Sequence, residues 1–435
     1  MAENNMKRTV FFPELKLSFG GSRGLNVFVS LLLFAVFAGL APAAHAATIT
    51  VDSLLDTTAV DGECTLREAI ENANNNAATN ADCAAGTGAD TITFNLSGTI
   101  TLVSTLPNIT DAVGLTIDGA GQTVTISGNN TVRVARVDTG ASLTLNNLTI
   151  ANGFVAGDFG GGINNSGTVT VTNSTFSGNS ANSGYGGGIA NFGSGGTVTV
   201  TNSTFSGNSA NSGYGGGIAN YSNGGTVTVT NSTFSGNSGT SGFGAAIANA
   251  SIGGGTVTIT NSTFNFNDVT GGGASAAISN GITAGTVTLR NTIVANSVGG
   301  GGNCSGTLTD GGNNLQFGGT VANSCGATIP TGDPVLGALA NNGGPTQTMA
   351  LGAGSAALDN IPNAGGCGFG ITTDQRGVAR PQPAGDSCDI GAYEFVAAVA
   401  TVPVPVPIPA INIWWMMLFM LLAGLGSLHY MSNRT

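Results

Sequence analysis

Two kinds of side chain in this chain could do chemistry, carboxylates and arginines, and their positions decide which chemistry is open. Breaking a glycosidic bond takes two carboxyl groups facing one another, and breaking a polyuronate takes Lys or Arg beside an acid or a metal. Carboxylates lie at Asp111, Asp118, Asp138 and Asp158, and again at Asp310 and Asp333, with no recurring spacing that gathers them. Between Phe159 and Leu289 the one charged residue is Asp268. That stretch cannot supply an ordinary acid/base pair, and the flanking aspartates read as turn residues. Arg133 and Arg136, three apart in an apolar alternation, could hold a carboxylated sugar; the plainer alternative pairs them with a neighbour such as Asp138. Asp374, Arg376, Arg380, Asp386, Asp389 and Glu394 are the densest charged group, read as a cap held by ion pairs near Cys367 and Cys388. Calcium is the alternative there, although no Asp-x-Asp-x-Asp-Gly loop is present. The expectation is a protein with no catalytic residue, no metal and no cofactor.

The uncharged stretch is a repeat. Thr-Val-Thr-Val-Thr-Asn-Ser-Thr-Phe occurs at 168–176, 197–205 and 226–234, and a looser copy at 256–264. Phe176, Phe205, Phe234, Phe264 and Val294 are spaced by 29, 29, 30 and 30 residues, the mark of stacked supersecondary units. Aligned modules give apolar columns: Leu143, Val169, Val198, Val227, Val257 and Val287, then Leu145, Val171, Val200, Val229, Ile259 and Leu289. A second segment gives Ile163, Ile189, Ile218, Ile247 and Ile278, each followed two residues on by Asn. Alternation in a strand turns Val169 and Val171 inward and Thr168, Thr170 and Thr172 outward. One module buries little alone, so like residues must pile on like in a right-handed parallel β-helix. At roughly 4.8 Å per coil, the six clear coils give a rod on the order of 30 Å before its irregular flanks are added.

Asn173, Asn202, Asn231, Asn261 and Asn291 fall at the corner after the Thr-Val-Thr strand, where amides could bond the turns above and below. All but Asn291 also read as N-glycosylation acceptors, which is the weaker reading because the sequons recur as part of the module. The outward threonine columns admit a further reading, a flat ice-binding face, although threonine is also what a solvated strand prefers.

Basic residues Lys7, Arg8, Lys16 and Arg23, an apolar run from Leu25 to Leu40 and a small-x-small site ending at Ala46 predict an export signal cleaved before Ala47; an uncleaved anchor is the alternative. Beyond residue 46 there are 20 acidic and 7 basic side chains, a balance of −13, and no lysine. Such a chain has no electrostatic footprint for a phosphate backbone, so nucleic-acid binding is disfavoured. Six cysteines, Cys64, Cys83, Cys304, Cys325, Cys367 and Cys388, suit an oxidising compartment. Sequential pairing is the simplest of fifteen arrangements. A zinc site is the weaker alternative, since no Cys-x-x-Cys occurs.

Both ends of an open β-helix need covering. Thr65-Leu66-Arg67-Glu68 has capping-box spacing, with Leu66, Ala69, Ile70 and Ala73 on one helical face, and predicts a short closing helix. Prolines at 403, 405, 407 and 409 predict an extended stalk, and the apolar stretch Ile411 to Leu428 is at the lower limit for a spanning helix, with a buried core helix as the alternative.

Four segments resemble bacterial exported families. Glu63 to Ile70 resembles the Cys-Ser-Leu-Arg-Glu-Ala (CSLREA) domain, with Thr65 in place of Ser. Phe176-Ser177-Gly178-Asn179 and Gly186-Gly187-Gly188-Ile189 are similar to repeats of polymorphic outer membrane proteins. Asn341 to Thr346, Asp374 to Gly377 and Asp389 to Glu394 resemble the choice-of-anchor Q domain. The tail Ile408-Pro409-Ala410-Ile411-Asn412-Ile413-Trp414 resembles an IPTL-CTERM sorting signal, with Ala410 and Ile411 replacing Thr and Leu and no terminal basic cluster. These resemblances imply an all-β, pectin-lyase-like parallel β-helix carried to a cell surface, with the envelope membrane, sorting machinery and an extracellular glycan or surface protein as partners. The expected divisions are a signal at 1–46, a cap at 47–90, the β-helix at 91–330, an anchor-adjacent block at 331–396, a stalk at 397–410 and a transmembrane-type tail at 411–435. Polysaccharide processing is the enzymatic alternative to a structural or adhesive role.

Overall fold

In a computed structural model the chain is described over residues 46–396 and 413–432, apart from 212, 240–242, 252, 269–275, 282–284, 300–301, 320–323, 364–366 and 369. The export signal up to residue 45, the stalk, and Ile408, Pro409, Ala410 and Ile411 of the sorting motif lie outside the described residues. Two compact units divide after Phe395.

The first unit is a right-handed parallel β-helix. Alternating apolar residues put Val169 and Val171 at 0% exposure and leave Thr168 to solvent, and each coil pairs in parallel with the next so that equivalent residues meet. The Thr-Val strands form a ten-stranded sheet, the Phe strands a nine-stranded one, and the Gly-Gly-x-Ile strands a seven-stranded one. Ten strands at roughly 4.8 Å make a rod of about 43 Å. It outruns the regular repeats because Thr48–Val51, Thr91–Phe94 and Leu115–Asp118 join the same sheet. The segment before residue 91 thus contributes a strand as well as a lid.

Phe176, Phe205, Phe234 and Phe264 stack inside the rod with ring centroids 4.7 to 4.8 Å apart and planes within 10°. The Gly-Gly pairs allow this approach: a Cβ on Gly188 would lie 2.6 Å from the carbonyl oxygen of Gly217 and 3.2 Å from the Phe205 ring. Helix α1, Leu66–Asn75, closes the N-terminal end by burying Leu66, Ala69, Ile70 and Ala73 against the core. Its capping box is complete: the Thr65 amide donates to Glu68 Oε2 and the Glu68 amide to Thr65 Oγ1.

Polar ladders join the coils at the corners. Asn165, Asn191, Asn220, Asn249 and Asn280 point inward and pass a hydrogen bond from each Nδ2 to the next Oδ1 at 2.9 to 3.0 Å. Asn179, Asn208, Asn237 and Asn267 do the same at another corner. The corner expected to carry an amide ladder behaves differently. Asn173, Asn202, Asn231, Asn261 and Asn291 adopt φ of 46 to 51°, the left-handed turn asparagine tolerates, while the following serines link the coils, each amide of Ser174, Ser203 and Ser232 donating to the next serine Oγ. Within that asparagine column only Asn291 reaches its neighbour, donating to Asn261 Oδ1. Asn231 and Asn261 are buried, which leaves no room for a glycan on either.

The block around 336–394 lies along the side of the rod. Gln375 Nε2 donates to Ser203 O and Thr204 Oγ1, Thr233 Oγ1 donates to Gln375 Oε1, and the Ala392 amide donates to Thr263 Oγ1. The expected cap is therefore a lateral strap, whose register is set by the outward hydroxyls of the Phe strands. A second core forms beneath it, where Ile293, Ala295 and Leu315 meet Leu351, Ala357, Ile361 and Ile390. Three disulfides join Cys64 to Cys83, Cys304 to Cys325 and Cys367 to Cys388.

The second unit contains helix α2, Ile413–Ser432, with Trp414, Trp415 and Phe419 exposed. Among the described residues no helix is long and apolar enough to cross a membrane.

Candidate functional site

The carboxylates singled out by sequence are mostly engaged in their own turns. Asp111, Asp118, Asp310 and Asp333 each accept the backbone N–H two residues on, at 2.8 to 3.0 Å. Arg133 pairs with Asp158 and also donates to the carbonyls of Phe159 and Gly160. Burial pushes the Asp158 carboxyl up, but the Arg133 guanidinium and the Phe159 amide together hold it below the usual range. Arg136 pairs with Asp138 at 3.0 Å on the surface. No two of these carboxylates are brought together by a hydrogen bond.

The charged group of the strap is brought together, apart from Asp386, which stays exposed. Arg376 donates from Nε and Nη2 to Asp374 Oδ2 and lies 3.5 Å from the centre of the Tyr393 ring. Arg380 and Glu394 form a fully buried pair at 2.7 Å, and Arg380 also donates to the carbonyls of Asp389 and Gly391. Burial raises Glu394 to about 7, with Asp389 adding and Arg380 opposing; burial likewise raises Asp389 and lowers Arg380. These side chains hold the strap's backbone together and leave no open face for a substrate. Among the described residues no three His, Cys, Asp or Glu gather as a metal site.

Two surfaces among the described residues could serve recognition. At the turns flanking the Gly-Gly-x-Ile strands, Phe159, Tyr185, Phe192, Tyr214 and Tyr221 form an external stack, with Tyr185 to Tyr214 at 4.7 Å and 3° and Phe159 to Phe192 at 4.2 Å and 18°. Sequence reading missed it, although Gly-Tyr-Gly-Gly-Gly recurs at 184–188 and 213–217. The ring faces cover one another along the rod, so mainly edges and hydroxyls meet solvent. The second is an open cleft of about 310 Å³ lined by Gln122, Thr123, Asn147, Thr149, Asn173, Thr175 and the strap's Pro345. It continues the threonine column beyond the strap: Thr175 pairs in register with Thr204, whose hydroxyl the strap engages. No charged residue lines it.

A parallel β-helix with a lateral strap, uncharged along its regular coils, is the class these features define. No protein-family model matches the chain, and no curated protein matches it. Among solved structures it is similar to pectate lyase Pel9A at 15% identity, with a TM-score of 0.38, over 81% of this chain and 97% of that one. A likeness this distant transfers no residue role.

Proposed function

We propose that the chain is an exported, surface-attached structural or adhesive rod with no catalytic residue and no cofactor. The observation that carries this reading is the use of its charges: the flanking aspartates close turns, the arginines pair, and the coils between them are joined by neutral ladders. Attachment would run through the tail, whose helix exposes Trp414, Trp415 and Phe419, and export through cleavage between Ala46 and Ala47. The uncharged hydroxyl and amide lining of the cleft suits a neutral polyhydroxylated partner such as a glycan, and its charge balance disfavours nucleic acid. The resemblances to CSLREA, anchor-Q and IPTL-CTERM sequences support the same reading.

Purified protein should bind neutral glycans in preference to acidic ones on an array, with Thr175→Val weakening the binding, and should leave polysaccharides uncut. Turnover of a polysaccharide, abolished by substituting one of the flanking aspartates, refutes the proposal. Fractionation should place the chain with the envelope, and recovery of an intact chain only from cytosol would end the surface reading.

A further inference from the structure

We propose that Asp90 is a built seat for a new amino terminus at Ala47, so that export processing itself completes the first coil. The Ala47 nitrogen lies 2.9 Å from Asp90 Oδ1. Asp90 is 1% exposed, and its carboxylate also receives the Thr87 amide at 2.9 and 3.1 Å. It takes part in none of the ion pairs among the described residues. A buried carboxylate with no cation is costly, whereas one facing an ammonium gains a charge-assisted hydrogen bond.

The location matches the processing site found in the sequence. Ala46 is exposed, Ala47 is half-buried, and the first strand begins at Thr48 and pairs with Thr91, the residue after Asp90. Thr91 in turn donates to the Ala47 carbonyl at 2.9 Å, so the residue bearing the nitrogen is held on both sides. Water, added by an export endopeptidase across the Ala46–Ala47 amide, leaves a carboxylate on Ala46 and an amine on Ala47 that takes up a proton. An uncharged N–H then becomes an ammonium against Asp90 with little movement of the chain. Before cleavage the leader holds that nitrogen as a neutral amide, and the buried carboxylate is met by neutral amides without a cation. The first strand of the rod is thus weaker in the precursor than in the mature chain.

The inference shares the export reading of the proposed function, yet it can be tested without export. Residues 47–435 are released from a fusion that leaves Ala47 first, purified in mild detergent, and compared with the same protein acetylated at its amino terminus. No lysine follows Lys16, so this is the sole primary amine for an amine-selective reagent. The free-amine form should melt higher by about 2 °C or more, Asp90→Asn should abolish the difference, and the wild-type amine should acetylate several-fold more slowly than that of the variant. Equal melting and equal acetylation rates overturn the proposal. If Asp90→Asn does not fold, the comparison of free and acetylated wild-type chains decides alone. Amino-terminal sequencing of the exported protein should read Ala-Thr-Ile-Thr, and any other start overturns the processing half while leaving the surface role untouched.

Discussion

Replacing Asn208 tests whether the buried amide ladder, and not apolar packing alone, fixes the coils to one another. Asn208 is 0% exposed. Its Oδ1 accepts from the Asn179 amide at 3.1 Å and from Asn179 Nδ2 at 2.9 Å, and its Nδ2 donates to Phe176 O and to Asn237 Oδ1, both at 2.9 Å. In Asn208→Ala the Asn179 amide loses its acceptor and Phe176 O loses a donor. Each buried group left unpaired costs about 1 to 3 kcal/mol, so a total of about 2 to 6 kcal/mol is expected for the two. Asn208→Asp separates the parts of that loss. It keeps the acceptor but sets an oxygen against Phe176 O and Asn237 Oδ1, in a site where burial raises a carboxyl pKa. Protonation restores one donor. The variant's folded pKa should therefore exceed its unfolded one, and its deficit should shrink as pH falls. Urea unfolding at pH 4 and pH 8 reads both effects, with Asn211→Ala, on an exposed residue of the same coil, as the control expected within about 0.5 kcal/mol. Asn208→Ala no worse than that control, or Asn208→Asp indifferent to pH, refutes the ladder as a source of stability.

Phe205→Ala empties the middle of the stacked column and should cost about 3 to 5 kcal/mol, read as a lowered urea midpoint; unchanged unfolding contradicts the inward assignment. Glu394 is raised from 4.5 to about 7 in the folded chain, so the folded state binds that proton more tightly and the stabilisation is full below 4.5 and lost as pH rises through 7. Relative to Glu394→Gln, the wild type should therefore melt progressively lower between pH 4.5 and pH 8, and a constant difference refutes the shift. The loop closed by Cys367 and Cys388 spans 21 residues, so the double serine variant should lose about 3 kcal/mol, located in the strap by hydrogen exchange. Protection lost evenly over the rod instead places the strap in the same cooperative unit. Thermal hysteresis should be absent from the purified protein despite the open Thr168 to Thr172 face, and its presence restores the ice-binding reading.

The parts of the fold most legible in the sequence were those where one residue type recurs at one period. Val169, Ile189 and Phe205 declare their columns because inward positions in a stacked coil tolerate only apolar side chains. Thr65 and Glu68 declare the helix cap because the box needs both. The asparagine corners were misread because Asn173 and Asn179 recur equally well, and recurrence does not distinguish a residue kept for its left-handed φ from one kept for its amide. Gln375 stands in a recognisable motif but carries no sign of its contacts: these lie in Thr204 and Thr233, more than 140 positions earlier, and only the folded chain brings them together. Asp90 is silent for a like reason: its partner Ala47, the first residue of the expected cap, stands 43 positions earlier, and only the folded chain joins the two.

The strap's position follows from a change of polarity along one outward column. Thr149, Thr175, Thr204, Thr233, Thr263, Ile293 and Leu315 follow one another in register on the nine-stranded sheet. At Thr204, Thr233 and Thr263 the strap replaces water as hydrogen-bond partner, which contributes modestly and fixes the register. At Ile293 and Leu315 the column turns apolar, and burial there supplies the larger driving force, about 25 cal/mol for each Å² of apolar surface covered. Docking should therefore begin at the apolar end and proceed toward Thr204 until the strap is exhausted at Pro345, leaving Thr175 and Thr149 open. The cleft is then a remainder of the same column. Its hydroxyls are of the kind the strap engages and have no strap to meet them, so the proposed polyhydroxylated ligand would compete there with water alone.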